Sequence, residues 1–209
     1  MSRLLYVQAS PLQSASTSTG VAHAFLQAYG AAHADDQIDI IDLWDIDLPP
    51  FDAEMIAAKF AVLRAQDATP AQQARWASAV ALARRFNAAD KYLFSVPMWN
   101  FGIPYRLKHF IDVVTLPGEN WAWSRDIGYT PLLRGKKAAL IYSSAGAYPL
   151  GPQPDEADFQ KPYLRRWLRF IGIEEIGEIN VAPTLTTPEH LAGVRASARR
   201  DAEVLAEAF

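Results

Sequence analysis

The sequence contains no cysteine. A disulfide framework, a cysteine nucleophile, an iron–sulfur cluster and a cysteine-ligated zinc are therefore excluded. A reducing cytoplasm suits such a chain, and that is the compartment expected. Basic charge is not in excess: 20 Lys+Arg against 23 Asp+Glu leave a formal net charge of −3, with a pI of about 5.8. This argues against nucleic acid or an acidic membrane as a partner. No apolar run approaches the ~18 residues of a membrane span. The opening residues 1–7 (MSRLLYV) read as a strand, too short and too polar at its end for a signal peptide. There is no GxxxxGK phosphate loop, no GxGxxG fingerprint and no GxSxG elbow. The four histidines (His23, His33, His109 and His190) lack metal-like spacing and read as packing or surface groups on predicted helices. Asp112 reads as a surface partner of His109. Asp155, Glu156 and Asp158 read as helix-start acids rather than cation ligands. Repeats, low-complexity stretches and interdomain linkers are also missing, so residues 1–209 are expected to form one domain.

What is present is a strand and helix alternation. Five β-type runs occupy residues 4–9, 38–42, 91–96, 138–142 and 178–182. Three are almost wholly apolar, as strands buried on both faces of a parallel sheet must be. The second alternates apolar and acidic residues and suits a place nearer an edge. Helices are predicted over residues 20–32, from Thr69, over about 104–114 and 159–171, and from Pro188 to the end. Thr69, Pro70 and Gln72 spell a capping box with proline at the first helical position. Trp76, Val80, Leu82, Ala83 and Phe86 form the apolar stripe behind it. Gly172 suits a left-handed helix end. The pattern predicts an α/β fold with an open parallel sheet and right-handed crossovers. Residues 43–67 and 115–134 are surplus to that plan. The second stretch is an aromatic-rich insertion with Trp121, Trp123 and Tyr129.

Ligands of such sheets bind beyond the carboxyl ends of the strands, at the point where strand order reverses. In the order 2-1-3-4-5 that point lies between strands one and three. The loops after strands one, three and four are the unusual ones. The first, residues 10–20 (SPLQSASTSTG), sets hydroxyls and free backbone N–H groups at a helix start, an anion site without lysine. It suits a phosphate monoester such as that of FMN. The second, residues 97–104 (PMWNFGIP), flanks an amide with two aromatics: Trp99 or Phe101 can stack a flat ring, and Asn100 can donate to and accept from a heterocycle edge. The third, residues 143–152 (SSAGAYPLGP), has small residues that admit a ring closely, and Tyr148 can overhang it. Each loop also admits a plainer reading: a Ser/Thr-rich helix cap, an aromatic plug at a strand end, and a turn required by chain geometry.

Taken together, the loops resemble those of the FMN-dependent NADH-azoreductases, which have the flavodoxin-like fold and are related to the NAD(P)H:quinone oxidoreductases. The resemblance spans essentially the whole chain. Its most specific part is Pro97-Met98-Trp99-Asn100-Phe101 running into residues 103–108 and Phe110-Ile111-Asp112. Gly135-Lys136-Lys137 and Gly172-Ile173 also fit. The resemblance implies a three-layer sandwich with a five-stranded parallel sheet in the order 2-1-3-4-5. It implies tightly bound, non-covalent FMN held by Ser10, Ser16, Thr17 and Ser18, by Met98, Trp99, Asn100 and Phe101, and by Ser143, Ser144, Ala145 and Gly146. At the last loop Ser144 and Ala145 stand where the family has arginine and glycine. It further implies ping-pong transfer of hydride from NADH or NADPH to a quinone or azo compound, and a homodimer with the active site at its interface. Tyr148 is the candidate for contact with the second substrate, and residues 115–134 for a pocket wall or dimer contact. Three other readings stand beside this one. They are a reductase of another flavodoxin-like branch, a flavin-binding electron carrier, and a phosphodiesterase acting on a carrier-protein prosthetic group through Ser143 or Ser144.

Overall fold

The computed structural model describes residues 1–64, 68–151 and 156–209. Asp67, Pro152 and Asp155 lie outside the described residues. Five strands, β1 (Arg3–Gln8), β2 (Gln37–Asp42), β3 (Lys91–Pro97), β6 (Lys137–Ser143) and β7 (Glu175–Val181), make one sheet. Its order is β2-β1-β3-β6-β7, and every pairing is parallel. Counted along the chain, that is 2-1-3-4-5. β2 stands at an edge, as its mixed pattern predicts.

The apolar runs explain the layers. Along β1, Leu5 and Val7 enter one core while Leu4 and Tyr6 enter the other, and all four are buried. The same alternation runs through β3 and β6, so helices must cover both faces. On one face lie α3 (Pro70–Asn87), α4 (Tyr105–Val114) and α5 (Lys161–Ile171). On the other lie α1 (Thr17–Ala32) and α6 (Pro188–Glu207). α3 begins with the expected reciprocal bonds of Thr69 and Gln72. Of its predicted stripe, Ala83 and Phe86 are buried, and Trp76, Val80 and Leu82 pack on the core from its margin. α5 ends on Gly172 at φ +106, where a Cβ would collide with the carbonyl oxygen of Leu133. Gly177 on β7 leaves room for Leu205 of α6.

Several expectations are corrected. α1 begins at Thr17, three residues before the predicted start, because the Ser/Thr run supplies its N-cap Ser16 and first turn. His33 is accordingly the C-cap, just past the helix. β7 begins at Glu175 rather than 178, since pairing with β6 continues past the apolar stretch. In the surplus stretches α2 (Ala53–Leu63) forms behind Asp52, whose side chain caps Met55 N–H. A hairpin of β4 (Trp121–Ser124) and β5 (Gly128–Pro131) occupies the aromatic insertion. His109 and Asp112 do not pair: His109 Nε2 lies 2.8 Å from Pro49 O, and Asp112 takes Lys108 one turn away. Lys108 and Asp112 stand at i,i+4, the spacing at which opposite charges meet on a helix face.

Candidate functional site

Three loops leave the carboxyl ends of β1, β3 and β6, which are neighbours in the sheet. They meet around a cavity of about 290 Å³. The first loop contributes Ser10, Pro11, Leu12, Ala15, Ser16 and Thr17; the second Pro97, Met98 and Trp99; the third Ser143, Ser144 and Ala145. A second cavity of about 190 Å³, lined by Met98, Asn100, Phe101, Ala145, Gly146 and Tyr148, adjoins it through Met98 and Ala145. Every predicted site residue except Ser18 lines one of the two. Ser18 is buried with its Oγ 3.3 Å from Ser16 Oγ, so its side chain supports the loop rather than facing the cavity. Thr184, after β7, was not foreseen. Its N–H and hydroxyl both donate to Ser144 O (2.9 and 3.1 Å), which ties the third loop down. A lone threonine in an ordinary loop carries no signal in the sequence.

The first loop makes a donor-rich helix start. Ser16, the N-cap of α1, has extended backbone and makes no side-chain cap bond. Gly20 is the first residue of α1 to donate within the helix, to Ser16 O. The N–H groups of Thr17, Ser18 and Thr19 have no acceptor among the described residues, and they sit at the positive end of a 16-residue helix. Among the described residues no charged side chain lines either cavity. Beneath the loop, buried Tyr6 shares a 2.8 Å hydrogen bond with Ser95 Oγ. Burial pushes the Tyr6 hydroxyl up to about 12, so it stays protonated.

The second loop is a tight reversal. Trp99 and Gly102 exchange backbone bonds of 2.9 and 3.0 Å. Asn100 (φ +46) and Phe101 (φ +70) occupy the two left-handed positions between them. Asparagine tolerates that conformation; for phenylalanine it costs about 1 kcal/mol. The N–H groups of Asn100 and Phe101 have no acceptor among the described residues. A bracket behind the turn holds this strained geometry. Phe159 N–H donates to Phe101 O (2.9 Å), and Gln160 Nε2–H to Val96 O (3.0 Å). Asp158 accepts from the N–H groups of Gln160 and Lys161 and pairs with Lys161 Nζ at 2.8 Å, both side chains being almost fully buried. Asp158 is thus a helix-start acid as read from the sequence, but also half of a buried ion pair.

The third loop is shaped for close approach. A Cβ at Gly146 would come within 3.2 Å of the Tyr148 ring, so the glycine lets that ring lie flat on the backbone. Lys161 Nζ lies 5.4 Å from the centroid of the Tyr142 ring and 5.7 Å from that of Tyr148. On the far wall Trp99 contacts Trp44 (5.9 Å) and Tyr105 (6.3 Å). Trp44 is itself anchored by a bond from its indole N–H to Ala9 O. Neither Ser143 nor Ser144 is hydrogen-bonded to a histidine among the described residues. Ser144 Oγ–H instead donates to Gly146 O at 2.8 Å. The aromatic hairpin lies apart from these loops. It borders a larger cavity of about 630 Å³ together with Phe51, Phe60 and Phe170.

An open parallel sheet of this order, with its cavities at the switch point, defines the flavodoxin-like class. The profile of the Flavodoxin_2 family, described as having the flavodoxin-like fold, matches residues 2–205. The chain belongs to that family, the one that includes the FMN-dependent NADH:quinone oxidoreductases it matches along its whole length. It is 42% identical to the enzyme of that name from Desulfotalea psychrophila, over 99% of this chain and 97% of the other. It is 38% identical to the one from Nitratidesulfovibrio vulgaris, with both chains fully covered. The crystal structure of an azoreductase from Bacillus anthracis superposes with a TM-score of 0.90 at 26% identity, again over the whole of both chains.

Proposed function

We propose that the protein is an FMN-dependent NADH:quinone oxidoreductase that also reduces azo compounds, with residues 1–209 acting as one domain. One observation carries the reading: three loops at the switch point enclose adjoining cavities that hold donors, aromatic walls and no charge. The residues fit FMN. The hydroxyls of Ser10, Ser16 and Thr17, with the free amides at the start of α1, suit a phosphate. The unbonded N–H groups of Asn100 and Phe101 and the Asn100 amide suit the polar edge of a flavin, with Trp99 beside it. Among the described residues no carboxylate lines the cavities to repel an anion.

When bound, FMN supplies the redox chemistry, taking hydride from the nicotinamide and passing it to the acceptor. The chain's own part is to bind, orient and exclude water. The left-handed turn fixes the two amide donors before the ligand arrives, so no ordering cost falls on binding. Gly146 and Ala145 let a planar ring approach the third loop, and Tyr148 walls the space left for the second substrate. No side chain needs to act as acid or base, in keeping with the neutral lining. The exposed Trp123, Ile127 and Tyr129 of the hairpin form the face that a second copy of the chain covers, completing a homodimer. Nothing favours a hydrolase: among the described residues Ser143 and Ser144 have no hydrogen-bonded base of the kind a serine nucleophile needs.

The test is the visible spectrum of the protein reconstituted with FMN, before and after anaerobic NADH. The expected result is a perturbed flavin spectrum that bleaches promptly. Flavin that binds but stays oxidised with NADH and with NADPH would point to a carrier, and no binding at all would end the flavoprotein reading. Asn100→Ala is expected to weaken FMN about 5- to 10-fold, the loss of one hydrogen bond in a preformed site. Unchanged affinity and spectrum would remove Asn100 from the site.

A further inference from the structure

The cavity assigned above to the flavin phosphate carries no charged side chain among the described residues. A phosphate monoester brings about −1.5 to −2 charges at pH 7. Cations nevertheless reach this loop, from the other end of the sequence. α6 packs along α1 and carries Arg195 to the first residue of that helix, where Nη2–H donates to Thr17 Oγ at 2.9 Å. Arg199, one turn further along α6, lines with Arg195 a cavity of about 230 Å³ that includes Ser16 and Thr17. Those two residues also line the phosphate cavity, so the two spaces share a wall. Arg199 has no carboxylate partner among the described residues.

The chemistry of Thr17 joins the two sides. A hydroxyl has one proton and can accept as well as donate. Thr17 Oγ accepts from the guanidinium, so its own proton is left to donate elsewhere. A cation on the acceptor side polarises the hydroxyl and strengthens that donation. We infer that Arg195, acting through Thr17 and flanked by Arg199, is a positioning residue that supplies the countercharge for the phosphate of the flavin. The inference rests on the reading of the site as an FMN site.

The experiment compares dissociation constants for FMN and for riboflavin, the same ring system without phosphate, by quenching of flavin fluorescence at low and high salt. Arg195→Met is expected to weaken FMN roughly 3- to 10-fold and to leave riboflavin unchanged, as suits a charge-assisted contact at a partly solvated position. The difference should shrink as salt rises from about 10 mM to about 0.5 M. Arg195→Lys should restore part of it, and Arg195→Met with Arg199→Met should lose more. In a Thr17→Val background, Arg195→Met should add little. Arg166→Met on the exposed side of α5 removes the same charge elsewhere and should leave the ratio of the two affinities as it was. Equal weakening of FMN and riboflavin in Arg195→Met would mean a structural effect and overturn the inference, as would an unchanged ratio. Wild-type protein that binds neither flavin would overturn the FMN reading itself, and this inference with it.

Discussion

At the amino ends of the strands, Arg3 and Arg85 converge on Asp39 at 2.6 and 2.7 Å. Beside them Lys91 reaches Asp36, Tyr29 OH and the carbonyl oxygen of Phe209, and Lys136 binds the carbonyl oxygens of Asn87 and Ala89. At the carboxyl ends, the cavity walls hold hydroxyls, amides and rings, with donors left unbonded. One end satisfies its polar groups within the chain; the other leaves several N–H groups without an acceptor among the described residues. Ion pairs secure strand starts, whereas near the site Asp158–Lys161 lies buried behind the loops and Arg195 reaches the first loop from α6.

That contrast can be broken most severely at the bracket. Asp158→Ala leaves the Lys161 ammonium buried without its partner and should cost about 3–5 kcal/mol. A denaturant titration checks this, and the double change Asp158→Asn with Lys161→Met should recover much of the loss. Equal stability of the single variant and the wild type would show that the pair does not hold the bracket.

A smaller effect tests the opposite end. The guanidinium of Arg85, helped by Arg3, holds the Asp39 carboxyl at about 2. A carboxyl lowered in the folded state adds stability above its unfolded pKa of about 4, and that stability fades as pH falls from about 4 towards 2. Its arginine partners are partly exposed, so screening reduces the contribution to about 1 kcal/mol. Asp39→Asn should lose that amount at pH 7 and flatten the acid limb of a stability profile, with FMN affinity unchanged. A shift in FMN affinity would mean the two ends are coupled.

The smallest change sharpens the contrast. Phe101→Gly removes a side chain from a left-handed position and should raise stability by about 0.5–1 kcal/mol. FMN affinity should fall, because the turn loses the rigidity that presents its amides. Thermal unfolding and a flavin titration, run side by side, read the two effects. A stabilised variant that binds FMN more tightly would mean the strain serves no binding purpose.

Much of this was legible beforehand, for physical reasons. Nearly continuous apolar runs announced three strands of the sheet, the apolar–acidic alternation of residues 38–42 announced the edge strand β2, and Thr69 with Gln72 announced the start of α3. Three unusual loops on neighbouring strands pointed to the residues that line the two adjoining cavities. Other features carry only weak local signals. Serine and threonine are poor helix formers, so the first turn of α1 read as loop. The strands of the hairpin have four residues each, too few for a clear alternation. The turn before Gly102 was legible, but its two left-handed positions were not, because they fall on Asn100 and Phe101 rather than on glycine. The Arg195–Thr17 contact joins residues 178 positions apart, a proximity that only the packing of α6 on α1 creates.

The Trp44–Trp99–Tyr105 cluster has a consequence beyond packing. Trp99 lines the cavity, and its ring centre lies 5.9 Å from that of Trp44. Indole emission overlaps the near-ultraviolet absorption of a flavin, so this wall is a built-in optical antenna. A yellow ligand in the cavity would dim the indole glow at short range, and the protein would report its own occupancy without a label.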